Sequence, residues 1–258
     1  MRLCDGETRL LCPRSVEVAR AKRESRAEAV ERYVDFDRGE RVGKHGGGAA
    51  VSHVLGRFLE SYGVDSVAVP PRFPLGTADG LRARGVDVTP DTDGVVTEIR
   101  ATKTDAEVDH VRDAQRANEA AMAAAEELFG DATAAGDGTL QYDGEVLTSE
   151  RIKEAIEVTL LRHGCSLDET IVACGADAAD PHDRGSGPLS AGEAIIVDIF
   201  PQHKTTKYHA DMTRTFCVGE PSETIREWYG LTERAMDAAF DVLEAGVTGE
   251  AVHDAVCE

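Results

Sequence analysis

The chain has little lysine, few aromatic residues and no long apolar run. Only six of its 28 basic residues are lysine, and with 48 acidic residues the formal net charge is −20. A surface this negative repels polyanions, so nucleic acid and anionic membrane surfaces are poor partners. No stretch approaches the roughly 18 apolar residues that a membrane span needs. Nucleic-acid-binding and membrane-spanning proteins are therefore disfavoured as classes.

The six cysteines include no C-x-x-C pair and no zinc-ligand spacing. Cys174 and Cys217 lie in apolar strand patterns, which is typical of small core residues rather than of reactive thiols. This usage favours a reducing compartment, and we expect the cytoplasm. The acidic excess with little lysine favours a protein that works in concentrated salt, where screening confines charge repulsion to a few Å.

Length and pattern predict two domains. At 258 residues the chain is long enough for about two. Residues 1–100 alternate strand and helix signals, which predicts a small α/β domain. Within it we expect a hairpin over residues 1–12, around Asp5-Gly6, and a helix over residues 15–34.

Helix signals are strong in the second predicted domain, residues 101–258. Thr104 and Glu107 have the spacing of a capping box, and an apolar face then continues to Gly130. Two more amphipathic helices are predicted over residues 149–163 and 222–245. The segment between the first two helices is rich in glycine and aspartate, which predicts a loop over residues 131–144.

The most informative segment is a predicted β-hairpin with an aspartate on each strand. Residues 193–200 and 208–218 are rich in apolar and β-branched residues, and a polar segment with a proline separates them. Symmetric pairing of the two strands about Lys204 and Thr205 places Asp198 opposite Asp211. The hairpin therefore predicts two carboxylates that face each other.

Two facing carboxylates need a positive partner. Directly opposed residues have Cβ atoms roughly 5 Å apart, and like charges at that distance are destabilising. Burial of Asp198 between apolar neighbours adds a desolvation penalty. A divalent cation, or a pair of them, relieves both costs. Two simpler interpretations remain open at this point: ordinary surface aspartates in an acidic protein, and a buried pair of an aspartate with Arg214.

The hairpin also resembles a known family. The sequences IIVDIF at residues 195–200 and YHADMTRTF at residues 208–216, followed by Gly219, resemble the first metal-ligand hairpin of the creatinase/methionine aminopeptidase ("pita-bread", M24) family. Residues 99–107, and residues 171–175 with Pro181-His182, are similar to its Xaa-Pro aminopeptidase and prolidase branch. The resemblance implies an α/β N-terminal domain of the creatinase-N type over residues 1–100. It implies an α+β pita-bread catalytic domain over residues 101–258.

The resemblance implies a site with two divalent metal ions. The family's site has five protein ligands, namely two aspartates, one histidine and two glutamates. Asp198 would hold one ion, and Asp211 would bridge both. Oxygen ligands suit hard divalent ions, so manganese is expected first, with cobalt, zinc or iron as alternatives.

Three further residues are candidates for the site. His182, in a polar loop, matches the family's substrate-side histidine, so it is the candidate catalytic residue. His209 and Thr213 share the face of Asp211 because side chains on one face recur every second residue. We expect His209 to approach the cleft or donate to a carboxylate without being a ligand. Thr213 is expected to form a hydrogen bond with Asp211.

The resemblance also implies that the catalytic domain is incomplete. After Asp211 the only histidine is His253, which lies in a helical pattern. Three of the five ligands thus have no residue to match, and we expect no competent two-metal centre in this chain alone. The last helical pattern has no stop signal, and the N-terminal domain lacks the first strand and helix of the branch, so we expect truncation at both ends.

The activity implied by the resemblance is that of an Xaa-Pro aminopeptidase. Such an enzyme hydrolyses peptide substrates by removing the N-terminal residue when proline stands second. Two alternatives remain, an Xaa-Pro dipeptidase (prolidase) and a non-catalytic peptide-binding member of the superfamily. A homodimer is expected, because the N-terminal domain often mediates dimer contacts in this branch.

Overall fold

Contacts between Cα atoms divide the chain into two units, Met1–Thr102 and Lys103–Glu258. The computed structural model describes residues 7–12, 15–36 and 38–257, and the side chains of residues 38–49 and 96 are not described. Across this part of the chain, no helix combines the length and the apolar character required to cross a membrane.

The first unit alternates short strands and helices. Its elements in chain order are β1 (Arg9–Cys12), α1 (Val18–Glu24), β2 (Ala29–Arg32), α2 (Arg38–Ser61), β3 (Ser66–Val69), α3 (Leu75–Arg82), β4 (Asp87–Pro90) and α4 (Val95–Ala101). β1 pairs with β2, and β3 pairs with β4, both in parallel. The helix between each pair of strands makes both connections β-α-β units, as parallel pairing requires.

The predicted helix over residues 15–34 is wrong in its second half. The helix ends at Glu24, and residues 29–32 form β2, in which Val30 pairs with Leu10 of β1. The charged residues of this segment fit a helical pattern, but pairing with a neighbouring strand overrides that weak preference. Residues 1–6 of the predicted N-terminal hairpin lie outside the described residues.

The core of the first unit lies between α2, α3 and the pair β3–β4. It contains five buried apolar residues, Leu59, Ala78, Leu81, Val86 and Val88. Val54 and Phe58, two turns and one turn before the end of α2, are also buried. The apolar face of this helix therefore points inward, as its spacing predicts.

The second unit surrounds a three-stranded antiparallel sheet. Its elements are α5 (Asp105–Gly130), β5 (Thr133–Ala134), β6 (Leu140–Tyr142), β7 (Glu145–Val146), α6 (Ser149–Arg162), β8 (Cys165–Ser166), β9 (Ile171–Cys174), β10 (Ile195–Ile199), β11 (Gln202–His203), β12 (Met212–Phe216), α7 (Glu223–Val242) and α8 (Gly249–Cys257). The central sheet has the order β12-β10-β9. Two small sheets, β5-β6-β7 and β8-β11, accompany it.

The predicted capping box at the start of α5 is confirmed. The Glu107 backbone N–H donates to Thr104 Oγ1 at 3.4 Å, and the Thr104 N–H donates to Glu107 Oε2 at 2.8 Å. Each side chain thus satisfies a backbone N–H that the first helical turn leaves without a partner. The predicted helix over residues 149–163 is also confirmed as α6, which ends at Arg162, one residue earlier than predicted.

One face of the central sheet packs on α5 and α6. The buried cluster combines residues of both helices with Ile195, Val197 and Ile199 of β10, which are fully buried. Between them, Ile196 and Asp198 are only half-buried. Because successive side chains of a strand point to opposite faces, Asp198 lies on the face that α5 and α6 do not cover.

The segment 131–144, predicted to be a loop, contains two strands of the sheet β5-β6-β7. β6 and β7 are joined by Asp143 and Gly144, which have φ angles of 54° and 76°. Two consecutive positive φ angles are the signature of the tight turn that Asp-Gly favours between strands. The prediction was wrong here because composition outweighed this dipeptide.

α7 exposes its apolar face. Ser222 caps the helix by accepting a hydrogen bond from the Ile225 N–H at 3.2 Å. Large apolar side chains along it are mostly accessible, among them Trp228, Tyr229, Met236 and Phe240. The predicted amphipathic helix is confirmed, but no residue of α7 is buried.

Replacing Ile156 with alanine tests the core of the second unit. Ile156 on α6 is 0% exposed, so we expect Ile156→Ala to lower the free energy of unfolding by about 2–5 kcal/mol, through lost transfer energy and a cavity. Val158 on the same helix is 40% exposed, and Val158→Ala is expected to change the free energy of unfolding by less than about 0.5 kcal/mol. Urea unfolding followed by far-ultraviolet circular dichroism measures both. Equal losses in the two variants would contradict this core.

Candidate metal centre

Asp198 is held by its own strand on the face of the central sheet opposite α5 and α6. Its neighbours Val197 and Ile199 are fully buried, so the backbone on both sides is fixed by packing. On α5, the fully buried Asn118 donates from Nδ2 to the Ile199 carbonyl at 3.4 Å. The sequence prediction did not include Asn118, and the only available signal was a polar residue on an apolar helix face. The carboxylate therefore projects from a backbone that is anchored from behind.

The prediction that Asp198 and Asp211 lie directly opposite each other is wrong. β10 and β12 pair so that Asp198 faces Thr213, and Asp211 immediately precedes β12. The cause is the turn. The His203 N–H donates to the Tyr208 carbonyl at 2.8 Å, which centres the hairpin between Thr205 and Thr206. This is one residue later than the symmetric pairing assumed.

Asp211 nevertheless lies on the same side of the hairpin as Asp198. Asp211, Thr213 and Thr215 are exposed, whereas Ala210 is buried and Met212 is half-buried. Arg214 is exposed as well, so the shared face of Asp211, Thr213 and Thr215 is inferred from the two-residue period of β12, continued one residue back to Asp211. Asp211 is then a diagonal neighbour of Asp198, a position in which Cα atoms are roughly 7–8 Å apart and Cβ atoms somewhat closer.

Thr213 forms its hydrogen bond with Asp198 rather than with Asp211. The Thr213 hydroxyl donates to Asp198 Oδ1 at 2.7 Å. The predicted partner, Asp211, is therefore wrong, because the register of β10 and β12 places Thr213 opposite Asp198. Within the described residues, no hydrogen bond involves Asp198 Oδ2. The contact thus orients the carboxylate and leaves one oxygen for a cation.

His209 contacts an amide instead of a carboxylate. Its Nε2 lies 2.9 Å from Gln202 Nε2, and the same amide donates to the Lys207 carbonyl at 3.2 Å. Gln202 also forms an isolated bridge with His209 across the hairpin. Of the two expectations for His209, the described contacts show no donation to a carboxylate, and its approach to the cleft stays a prediction. Sequence reasoning missed Gln202, although it stands at the mirror position of His209 once the register is known.

The loop of His182 lies next to the central sheet. The His182 side chain is exposed, and its backbone N–H donates to Asp180 Oδ1 at 3.0 Å. At the end of the loop, the Val172 N–H on β9 donates to the Arg184 carbonyl at 3.0 Å. β9 is the strand that pairs with β10, and Ile171 stands beside Asp198. The loop is therefore anchored on the neighbour of the strand that carries Asp198.

A buried aspartate–arginine pair does not form in the described part of the hairpin. Arg214 is exposed, stands opposite Val197, and donates from Nη1 to the Thr213 carbonyl at 2.8 Å. Arg214 stands three positions after Asp211, and this odd separation assigns it to the other face of the strand, since neighbouring residues on a strand alternate. Within the described hairpin, neither carboxylate therefore pairs with Arg214.

The residues present fit a hard divalent cation in part. Carboxylate oxygens are the donors that such ions prefer, and the hydrogen bond from Thr213 is the kind of support that ligating carboxylates receive. Among the described residues, however, no three His, Cys, Asp or Glu side chains come together as a metal-binding group. The hairpin offers the aspartate pair and no further ligand.

The fold is shared with proline-directed peptidases of known structure. The X-Pro aminopeptidase from Thermotoga maritima MSB8 superimposes with a TM-score of 0.70 at 22% identity, over 98% of this chain and 64% of that chain. The Xaa-Pro dipeptidase from Bacillus anthracis superimposes with a TM-score of 0.73 at 19% identity, over 95% of this chain and 62% of that one. The architecture is therefore the one found in pita-bread enzymes.

Sequence comparison assigns the family. The family model described as Metallopeptidase family M24 matches residues 109–258, more than half of the chain. The chain therefore belongs to metallopeptidase family M24, which confirms the resemblance seen in the hairpin. The probable dipeptidase PepE of Mycobacterium bovis is 30% identical over 249 residues, which is 96% of this chain and 60% of that protein. The chain thus spans about three fifths of the length of this relative.

Removal of the Thr213 hydroxyl tests its support of the metal site. We expect Thr213→Val to weaken Mn²⁺ binding by about 10- to 100-fold, because the Asp198 carboxylate loses the partner that orients it. Thr215→Val is the matched control, since Thr215 lies on the same strand and face but stands opposite Ile196. Calorimetric titration of the product of the complete reading frame with Mn²⁺ measures both. Unchanged affinity in Thr213→Val would contradict the role of the hydroxyl.

Proposed function

We propose that this chain provides part of the active site of a metal-dependent exopeptidase of the Xaa-Pro aminopeptidase type. Membership of family M24 supports a hydrolase that acts on peptides. The observation that carries the proposal is the pair of carboxylates on the sheet face opposite α5 and α6, with Asp198 oriented by Thr213. A surface aspartate has no need of a strand anchored from behind, whereas a metal ligand does, because ligand geometry must be fixed before the ion binds.

Asp198 and Asp211 are the residues that would hold two divalent ions in this proposal, with manganese preferred. Divalent ions supply a strong nucleophile from water at neutral pH and polarise the scissile carbonyl. The chain's own contribution is to hold two oxygen donors on one face. We assign no residue of this chain to the remaining histidine and glutamate ligands of the family.

His182 is the proposed catalytic residue. Its exposed imidazole lies on a loop anchored to β9, beside the strand of Asp198. An N–H donor placed there can stabilise the negative charge that develops on the peptide oxygen during attack, which is the task of an oxyanion-stabilising group. The proposal for this residue rests on the family resemblance and on the anchoring of the loop.

An Xaa-Pro dipeptidase is the second candidate function. PepE is named a probable dipeptidase, and the Pyrococcus horikoshii relative, 24% identical over 193 residues, is named an Xaa-Pro dipeptidase. The two activities differ in the length of peptide accepted. A non-catalytic peptide-binding role is disfavoured, because such a role gives no reason for a supported carboxylate pair. A cytoplasmic homodimer completes the proposal.

Hydrolysis assays decide between these candidates. The 258-residue chain and the product of the complete reading frame are incubated with Mn²⁺ and either an Xaa-Pro dipeptide or a longer peptide with proline second. Cleavage of the longer peptide with release of its first residue supports the aminopeptidase, and cleavage of the dipeptide alone supports the dipeptidase. Absence of hydrolysis of both peptides by both proteins would contradict the enzyme proposal.

Substitution of the aspartates tests their role as ligands. We expect Asp198→Asn and Asp211→Asn each to lower kcat/KM by at least about 100-fold, because a lost ligand removes several kcal/mol of charge stabilisation. Asp237→Asn on the exposed surface of α7 is the control and should retain the parent rate. Dialysis against a chelator should abolish hydrolysis in the parent, and Mn²⁺ should restore it. A parent rate in Asp198→Asn would exclude it as a ligand.

A further inference from the structure

The loop that carries His182 is bound to the first turn of α6 by two charged side chains. Glu150 accepts a hydrogen bond from the Gly187 N–H, with its Oε1 at 3.1 Å and its Oε2 at 3.3 Å. Lys153 donates from Nζ to the Gly185 carbonyl at 2.8 Å. One side chain thus binds a backbone donor of the loop and the other binds a backbone acceptor two residues away.

Backbone contacts continue this attachment into the central sheet. The Ser149 N–H donates to the Gly187 carbonyl at 2.9 Å, and its hydroxyl donates to the Val172 carbonyl at 2.7 Å. Ser149 therefore joins α6, the loop and β9. Because β9 pairs with β10 beside Asp198, the loop and the candidate metal ligand are positioned by one connected set of contacts.

Gly185 of the loop packs closely against the backbone of β9. Gly185 is buried with φ at 68°, and a Cβ atom there would lie 1.9 Å from the Val172 carbonyl oxygen. Gly187 also has a positive φ, at 73°. Glycine can adopt many conformations at such positions, so the observed one must be selected by the contacts that the loop makes. Within the loop the Gly185 N–H donates to Asp183 Oδ1 at 2.8 Å, Arg184 pairs with Glu169, and α6 adds the contacts of Glu150 and Lys153.

The charges around the two side chains favour this arrangement. Donation from the Gly187 N–H holds the pKa of the Glu150 carboxyl below its usual range, so the residue is ionised at neutral pH. Partial burial lowers the pKa of Lys153, while the nearby carboxylates of Glu150, Glu157 and Asp183 favour its charged form and Arg184 opposes it. Hydrogen bonds that involve an ionised partner are stronger than those between neutral groups.

We propose that Glu150 and Lys153 are positioning residues that hold the loop so that His182 faces the substrate. This rests on the catalytic role of His182 given under the proposed function. Three exposed residues, Pro181, His182 and Asp183, lie between the anchored ends of the loop, and the imidazole has no side-chain anchor of its own among the described contacts. A displacement of about 1 Å in a catalytic group is enough to lower a rate about 100-fold.

Variants of Glu150 test the proposal with two readouts. In Glu150→Ala we expect the Gly187 amide to exchange its hydrogen at least about tenfold faster, because its acceptor is gone. We expect kcat to fall about 10- to 100-fold with Mn²⁺ affinity unchanged. Glu150→Gln keeps an acceptor oxygen and should restore a large part of both. Lys153→Met should lower kcat in the same way. Glu154→Gln, an exposed position on the same helix, is the control and should match the parent.

The outcomes separate failure of this proposal from failure of the proposed function. Amide exchange is measured on the 258-residue chain, and kcat on the product of the complete reading frame. Parent-like exchange at Gly187, or parent-like kcat in Glu150→Ala when His182→Ala is impaired, overturns the positioning role alone. A parent that does not hydrolyse Xaa-Pro peptides, or a His182→Ala variant with the parent kcat, overturns the proposed function, and the positioning role with it.

Discussion

Burial of alternate side chains on β10 is the constraint on which the rest of the site depends. Ile195, Val197 and Ile199 pack into the cluster formed with α5 and α6, so the opposite face of the strand must carry Asp198. A slip of one residue would bury the carboxylate and expose three large aliphatic side chains. The hydrophobic core thus fixes the orientation of a charged group that makes no contribution to the core itself.

The same strand organises its surroundings through both of its edges. On one edge, β12 brings Thr213 to Asp198 and sets Asp211 diagonal to it. On the other edge, β9 receives the loop of His182 and the hydroxyl of Ser149. Groups from distant parts of the sequence are therefore related to Asp198 by strand pairing, whose spacing varies little.

Sequence patterns predicted the long helices and the family hairpin because those signals are strong and local. The capping box of Thr104 and Glu107 and the apolar strand before Asp198 each depend on neighbouring residues only. The pairing register of β10 and β12 was harder to predict from the sequence. The four-residue turn closed by the hydrogen bond from His203 to Tyr208 decides which residue faces Asp198. The amino-acid types in this turn fit equally well a turn that is centred one residue earlier. The partner of Thr213 was wrong for that reason.

Contacts between distant segments could not be predicted from the sequence for a related reason. No residue near Glu150 in the sequence indicates that its carboxylate accepts a hydrogen bond from the N–H of Gly187, 37 residues later. In the sequence, Asn118 likewise only interrupts an apolar helix face, and its role is evident only from its hydrogen bond to the Ile199 carbonyl. In contrast, the turn at Asp143-Gly144 was readable, since the dipeptide is a strong hairpin signal, and composition was given too much weight there.

The exposed face of α7 has a consequence for spectroscopy. Trp228 is the only tryptophan of the chain, and it is 64% exposed on that helix. Its indole is already largely hydrated in the native state, so denaturation offers its fluorescence only a small further change in environment. The intrinsic emission of this protein is accordingly a poor indicator of whether the two cores are intact. It is a sensitive indicator of anything that comes to cover α7.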